Sequence, residues 1–137
     1  MKKQVIDKET ALSEFLRFGE EMELDFDRSS MNEDELDTFQ HLENTLVKAV
    51  MNGSLIFDEQ AHPIFTPQRS GDVAPLKFRE PTGATLMSMD KKRKNEDVGR
   101  QNAVMAELAK VPPVTFAKMS LKDYKVCQSV VTLFLGQ

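Results

Sequence analysis

The sequence predicts an α+β fold that is mainly helical and contains a small antiparallel sheet or β-hairpin. Apolar residues recur at helical spacing in several segments, which indicates amphipathic helices. Between these segments lie short β-prone runs bounded by turn-forming residues. The chain has 137 residues, of which 40% are hydrophobic and 29% charged, a size and composition typical of one globular domain. We therefore expect residues 1–137 to form a single domain.

The most regular helical pattern runs from about Glu33 to Asn52. Its apolar side is formed by Leu36, Phe39, Leu46, Val47 and Val50, with Leu42 at the flank. Asn32 is a good N-cap, and the acidic residues 33–35 favour the positive end of the helix dipole. Gly53 is expected to end the helix as a C-terminal cap.

Four further segments are predicted to be helical. They are Thr10–Phe18, a short helix from Thr82 or Gly83 to Met89, Asp97–Lys110, and a last helix that begins at Ser120. Gly19 is expected to stop the first, and Pro112 with Pro113 to end the third. Asp123 stands three residues after Ser120, so the last helix begins with the pattern of a capping box.

The predicted sheet is built from four short strands: Met22–Phe26, Leu55–Phe57, Ile64–Thr66 and Leu76–Phe78. The second and third flank a polar connection and suggest a hairpin. Pro63 cannot donate to a β-ladder, so the strand that it precedes should lie at an edge. Residues 67–75 are rich in turn-forming residues and are expected to form a flexible loop.

Charge divides the chain into two parts. Residues 1–62 hold 6 Lys and Arg against 15 Asp and Glu, whereas residues 63–137 hold 12 against 7. The parts should attract each other, within one molecule or between copies. An acidic N-terminal part argues against a nucleic-acid partner, although Lys91–Lys94 form one basic cluster.

The sequence offers little to catalysis. Its two histidines, His41 and His62, and its one cysteine, Cys127, form no nucleophile–base pair and no zinc set. We predict no enzyme, no metal site and no cofactor. Cys127 lies among valines and is expected to be a small buried hydrophobe. No apolar run approaches the roughly 18 residues that span a bilayer. The single cysteine, and an N-terminus that turns acidic at Asp7 before an apolar region can form, favour a cytosolic protein.

The last helix carries an unusually wide apolar surface. At about 100° per residue, its apolar residues cover roughly 200° of the circumference, more than the stripe of a typical surface helix. Either the helix lies at the centre of the fold, or another chain completes its cover. In the second case the partner-binding residues would be Tyr124, Val126, Val130, Val131, Leu133 and Phe134.

The order of motifs over about residues 54–136 resembles that of phage tail assembly chaperones of the Mu-like type. The stretches NGSLIFDE and PIFTP are followed by LKFREPTGATLMSMD, then by DVGRQNAVMAELA and FAKMSLKDYKVCQSVVTLFLG. The family motif would comprise Arg79, Glu80, Pro81, Thr82 and Gly83, together with Asp123 at the start of the last helix. In this interpretation, residues 1–53 are an acidic N-terminal part and residues 54–137 the chaperone-like part.

The resemblance implies a non-enzymatic chaperone of a phage or prophage. Such a protein would bind the tape measure protein, and the tail tube protein as a second candidate partner, in the cytoplasm of the bacterial host. It would be missing from the mature virion, and it could form homo-oligomers. Two alternatives stay open at this stage. One is a virion structural tail protein, such as a tube adaptor or minor tail protein, and the other is a small nucleic-acid-binding regulator that uses Lys91–Lys94.

Overall fold

The computed structural model describes residues 6–69, 73–90 and 97–135. The helices are α1 (Lys8–Glu21), α2 (Glu33–Met51), α3 (Gly83–Asp90), α4 (Asp97–Ala109), α5 (Val114–Ala117) and α6 (Leu121–Phe134), and the strands are β1 (Leu55–Phe57), β2 (Pro63–Phe65) and β3 (Leu76–Lys77). A 3-10 turn at Arg28–Ser30 precedes α2. The predicted class, α+β and mainly helical with a small antiparallel sheet, is confirmed. The basic cluster Lys91–Lys94 and part of the predicted flexible loop lie outside the described residues.

Helix α2 forms for the reasons that its sequence predicts. Asn32 accepts the backbone N–H of Glu35 at 2.9 Å, and the Glu35 carboxylate accepts the N–H of Asn32 at 3.0 Å, a complete capping box. Gly53 follows the helix with a φ of 85°, which a side chain would disfavour. Five of the six predicted apolar positions are buried: Phe39, Leu42, Leu46, Val47 and Val50.

Helix α1 continues through Gly19, so the predicted stop at this glycine is wrong. A glycine is needed at this position instead because the ring of Phe26 packs directly against its Cα. A methyl group at its Cα would lie 2.3 Å from Cε2 of Phe26, well inside van der Waals contact. Phe26 in turn stacks on Phe15 with ring centroids 4.8 Å apart and meets Phe39 of α2 edge-on at 5.1 Å. The missing side chain therefore lets the chain fold back closely over α1.

The predicted strand Met22–Phe26 is wrong, although the predicted alternation of half-buried apolar and exposed acidic side chains is present. Met22, Leu24 and Phe26 are half-buried, and the acidic residues between them are exposed. Glu23 adopts a left-handed φ of 55°, and the N–H of Leu24 donates to the Gly19 carbonyl of α1 at 2.8 Å. The segment therefore packs against two helices as an irregular turn and takes no part in the sheet.

The sheet has the order β1-β2-β3, and both pairings are antiparallel. The first hairpin pairs Leu55 with Phe65 and Phe57 with Pro63. Strand β2 is therefore central, and the prediction that Pro63 marks an edge is wrong. Pro63 fits because it is the first residue of the strand, and because its carbonyl accepts the N–H of Phe78 at 2.9 Å.

Asp58 holds the turn of this hairpin. Its Oδ1 accepts the N–H groups of Gln60 and His62, each at 2.9 Å, and its Oδ2 lies 3.2 Å from Nζ of Lys77 on β3. Burial opposes the charge, but the hydrogen bonds from His62, Lys77 and Gln60 outweigh it and lower the pKa of Asp58. Arg17 of α1 adds two bonds of 3.0 Å to the carbonyls of Phe57 and Asp58. These contacts fasten the hairpin to α1.

Helix α6 lies at the centre of the molecule. It packs against α2 on one side and α4 on another, and the ring of Phe134 meets Phe18 of α1 edge-on at 5.4 Å. Helix α4 ends where predicted, before Pro112 and Pro113, and its last turn closes with the N–H of Val111 on the Ala106 carbonyl at 3.1 Å. The short α5 that follows was not predicted.

We expect Gly19→Ala to lower the free energy of unfolding by about 1–3 kcal/mol, because the new methyl group must displace the Phe26 ring from its stack. Urea unfolding followed by circular dichroism measures this. Gly83→Ala is the matched control: a methyl group there meets nothing within 4 Å, so stability should stay unchanged or rise by up to about 1 kcal/mol. Equal stability of the two variants would contradict the close approach at Gly19.

Candidate partner-binding site

The segment Arg79–Gly83, predicted to be a family motif, forms the mostly exposed connection between β3 and α3. Phe78 anchors it, since its ring is fully buried. The N–H of Arg79 donates to the carbonyl of Leu108 at 3.1 Å, and this carbonyl is one of the last four of α4, which have no partner within their own helix. The motif therefore ties the sheet to the end of α4.

Thr85 extends this connection into the core. Its hydroxyl oxygen accepts the N–H of Thr82 at 3.0 Å and donates to Oε1 of Glu107 on α4 at 2.5 Å, and the residue is fully buried. Glu107 also pairs with Lys110. Hydrogen bonds from Lys110 and then Thr85 lower the pKa of Glu107, although partial burial opposes the shift. The first turn of α3 is thus fixed against α4 by a charge-assisted bond, a contact that the sequence analysis missed.

Asp123 connects the start of α6 to the loop after β2. Its N–H donates to Oγ of Ser120 at 3.3 Å, the N-cap interaction that the sequence predicts. Its two carboxylate oxygens accept the N–H groups of Gln68 at 3.1 Å and Arg69 at 2.9 Å. Asp123 is 3% exposed, so these bonds form with little competition from water.

The six predicted partner-binding residues of α6 differ in exposure. Val130, Val131 and Leu133 are buried in the core, while Tyr124, Val126 and Phe134 are half-buried. The Tyr124 hydroxyl donates to Asn102 of α4 at 2.6 Å. Burial within the chain thus accounts for Val130, Val131 and Leu133, as in the first of the two explanations left open by the sequence. A partner could reach the buried three only if α6 moved away from α2, and their binding role stays a prediction.

Cys127 is fully buried on the same helix, with its Sγ 4.0 Å from Sδ of Met119. Burial raises the pKa of its thiol well above the ordinary value. The residue therefore behaves as the small hydrophobe that its valine-rich surroundings predict.

The most exposed apolar side chains of the C-terminal part lie elsewhere. Leu86 and Met87 on α3 are 63% and 67% exposed, and Leu121 at the start of α6 is 67% exposed. The sequence pattern does not indicate α3 as a binding surface, because a helix of eight residues shows too little periodicity to separate an apolar face from a polar one. The available signal was the apolar run Leu86-Met87 without a neighbouring charge before Asp90.

Within residues 6–69, 73–90 and 97–135, no group of three or more histidine, cysteine or acidic side chains is arranged to hold a metal ion. None of the helices in this part of the chain has both the length and the apolar character needed to cross a membrane.

A comparison with protein families gives a match over more than half of the chain. The matching family is described as "Phage tail assembly chaperone proteins, E, or 41 or 14", and the match covers residues 62–136. The chain belongs to this chaperone family. A search of curated proteins and a search of solved structures gave no match.

The family match begins inside the first hairpin of the chaperone and leaves the first two helices outside it. It begins between β1 and β2, eight residues after the start of the resemblance seen in the sequence, and it contains the motif Arg79–Gly83 and Asp123. Helices α1 and α2 lie outside it. In this chaperone they nevertheless supply part of the surface that covers α6, together with α4.

We expect Asp123→Ala to lower the chaperone's free energy of unfolding by about 1–3 kcal/mol, because two backbone N–H groups of the loop lose their acceptor. Asp123→Asn should cost less, since the amide oxygen can still accept one bond. Chemical denaturation measures both, and Lys122→Ala at the exposed neighbouring position is the control, with an expected change within about 0.5 kcal/mol. If Asp123→Ala proved as stable as the unchanged protein, this contact would not hold the loop.

Proposed function

We propose that this chaperone binds the tape measure protein of its phage and keeps it soluble until tail tube subunits polymerise around it. Membership of the tail assembly chaperone family carries the proposal. The family implies interaction with other tail proteins, and the tail tube protein is the second partner that we propose. A tape measure protein is long and helical with an apolar seam, so it is liable to aggregate when bare. Covering that seam requires binding alone, and no catalytic step enters the proposal.

We further propose that α3 makes the first contact with this client. Leu86 and Met87 project from a helix whose first turn is held by the Thr85–Glu107 bond. Because the first turn of α3 is already held in place, less conformational entropy is lost on binding. The methionine side chain can adapt to different apolar surfaces. The half-buried Tyr124, Val126 and Phe134 of α6 are the second candidate contact, and the buried Val130, Val131 and Leu133 would join only after α6 moved.

Under this proposal the acidic N-terminal part and the chaperone-like part fold as one unit. The observations that support this are the packing of α2 on α6 and the Phe18–Phe134 contact. Removing residues 1–53 would uncover the apolar side of α6, so client binding should be studied with the whole chain.

Co-expression tests the proposal. A tape measure fragment from the same genome should be more soluble when the chaperone is present, and the two should purify together. Leu86→Ser with Met87→Ser should weaken capture at least about tenfold, because two apolar side chains of about 1.5–3 kcal/mol each would no longer be buried at the interface.

The matched control is Leu16→Ser, which changes a 55% exposed leucine on α1 outside the family match and should leave capture unchanged. A fragment that is equally insoluble with and without the chaperone would refute tape measure binding. Full capture by the α3 variant, with loss in Tyr124→Ala and Val126→Ala, would instead assign the contact to α6.

Under the same proposal the protein acts in the host cytoplasm and is absent from the finished virion. Mass analysis of purified phage particles checks this, with the major tail protein as the internal standard. We expect no peptides of the chaperone above the level of host contaminants. A constant number of copies per particle would contradict the proposal and favour a structural tail protein.

A further inference from the structure

A basic groove lies between α2 and α6, on the side of α2 that faces away from α1. Three exposed lysines line it: Lys48 of α2, and Lys122 and Lys125 of α6. Uncharged polar side chains, among them Thr45 and Gln128, supply most of the remaining lining. Among the residues that the structure describes, none that lines this groove carries a carboxylate. We call these residues the lysine groove.

The lysines of the groove form no ion pair within the part of the chain that the structure describes. The Lys or Arg pairs with carboxylates found there are Arg17–Glu14, Arg28–Glu43, Lys77–Asp58 and Lys110–Glu107. None of them involves Lys48, Lys122 or Lys125. These three ammonium groups are therefore available for contacts outside the molecule.

The complementary surface is formed by the end of α1 and the turn that follows it. Glu20 and Glu21 of the helix and Glu23 and Asp25 of the turn are all exposed, and none forms one of these ion pairs. We call residues 20–25 the acidic strap. It is held in place by the half-buried Met22 and Leu24 and by the bond from Leu24 to Gly19, so its carboxylates are presented by an ordered backbone.

The lysine of α2 and the acidic strap lie on different sides of this helix. Phe26, directly after the strap, contacts Phe39 on α2. At about 100° per residue, Lys48 of the groove lies roughly 180° around α2 from Phe39. Lys48 therefore points away from the strap of its own molecule.

We propose that the lysine groove binds the acidic strap of a second copy of this chain. Two different surfaces meet in such a contact, so it is heterologous and each bound copy still offers a free groove and a free strap. Copies would therefore add head to tail. Since exposed ion pairs contribute little individually, the association should be weak and strongly salt-dependent. This inference does not rest on tape measure binding and is tested without any client.

Nucleic acid is the less favoured occupant of the groove. The chain carries a net charge of −4, and the groove lacks the aromatic side chains on which unpaired bases stack. The acidic strap is present on the same polypeptide and has the charge that the three lysines require. A second copy of the chain is therefore the simpler partner for the groove.

Sedimentation velocity of the full chain over a concentration series tests the proposal. We expect the mean mass to rise with concentration at about 0.01 M salt and to return to that of one chain at about 1 M salt, because screening shortens from about 30 Å to about 3 Å. Lys122→Glu with Lys125→Glu should raise the apparent Kd at least about tenfold. Both changes lie in the first turns of α6, where acidic residues suit the helix dipole, so folding should be kept.

Lys8→Glu with Lys118→Glu is the matched control, because it makes the same total charge change at two exposed positions outside the lysine groove and should associate like the unchanged protein. A charge exchange makes the test specific. The variant Glu20→Lys, Glu21→Lys, Glu23→Lys should also fail to associate alone, yet a mixture of this variant with the Lys122→Glu, Lys125→Glu variant should associate again.

Three results would overturn the proposal. They are a single-chain mass at every concentration in low salt, association that the groove variant leaves unchanged, and a mixture of the two variants that stays dissociated. Salt-sensitive retention of a duplex DNA that requires Lys122 and Lys125, with no self-association, would assign the groove to nucleic acid instead. Circular dichroism of each variant confirms that it is folded.

Discussion

The burial of α6 is the constraint on which the other contacts of this fold depend. Cys127, Val130, Val131 and Leu133 of this helix are at most 5% exposed, and α2, α4 and Phe18 of α1 cover different sides of it. Burying one such side chain stabilises a protein by about 1.5–3 kcal/mol, against about 0.5–1.5 kcal/mol for a typical hydrogen bond. The apolar contacts therefore dominate the stability, and the polar contacts fix which way the covering elements are oriented.

Those polar contacts share one property: they occur at the ends of helices and strands. Asp123 joins the first turn of α6 to the loop after β2, Thr85 joins the first turn of α3 to Glu107, and Arg17 reaches the carbonyls at the end of β1. Backbone groups at such ends lack partners within their own element. The bonds of Asp123 and Arg17 thus satisfy backbone groups that would otherwise be costly to bury, and all three bonds fix the neighbouring element.

Sequence patterns predicted most of the helices, because amphipathic spacing and capping residues act locally. Asn32 and Glu35 form the expected capping box, and Pro112 with Pro113 follows the end of α4. The errors occurred where a distant residue decides the conformation. Gly19 predicts a stop because the local pattern does not show that Phe26 packs against this glycine. Met22–Phe26 predicts a strand because a helix-packed turn also alternates apolar and acidic residues. Pro63 predicts an edge because the bond from Phe78 to its carbonyl is not local.

The candidate site shows the same division. The motif Arg79–Gly83 and Asp123 could be selected from the sequence, since their order along the chain carries the resemblance. Their contacts could not, because Leu108, Glu107, Gln68 and Arg69 are brought to them only by the tertiary fold. The apolar width of α6 was visible in the sequence, but periodicity alone cannot distinguish a helix covered by its own chain from one covered by a partner.

The position at which the family match begins has a consequence for fragments of this protein. A fragment starting at residue 62 would lack the outer strand of the hairpin and the α2 surface against which α6 rests. The matched region taken alone would therefore leave much of the apolar side of its last helix open to water.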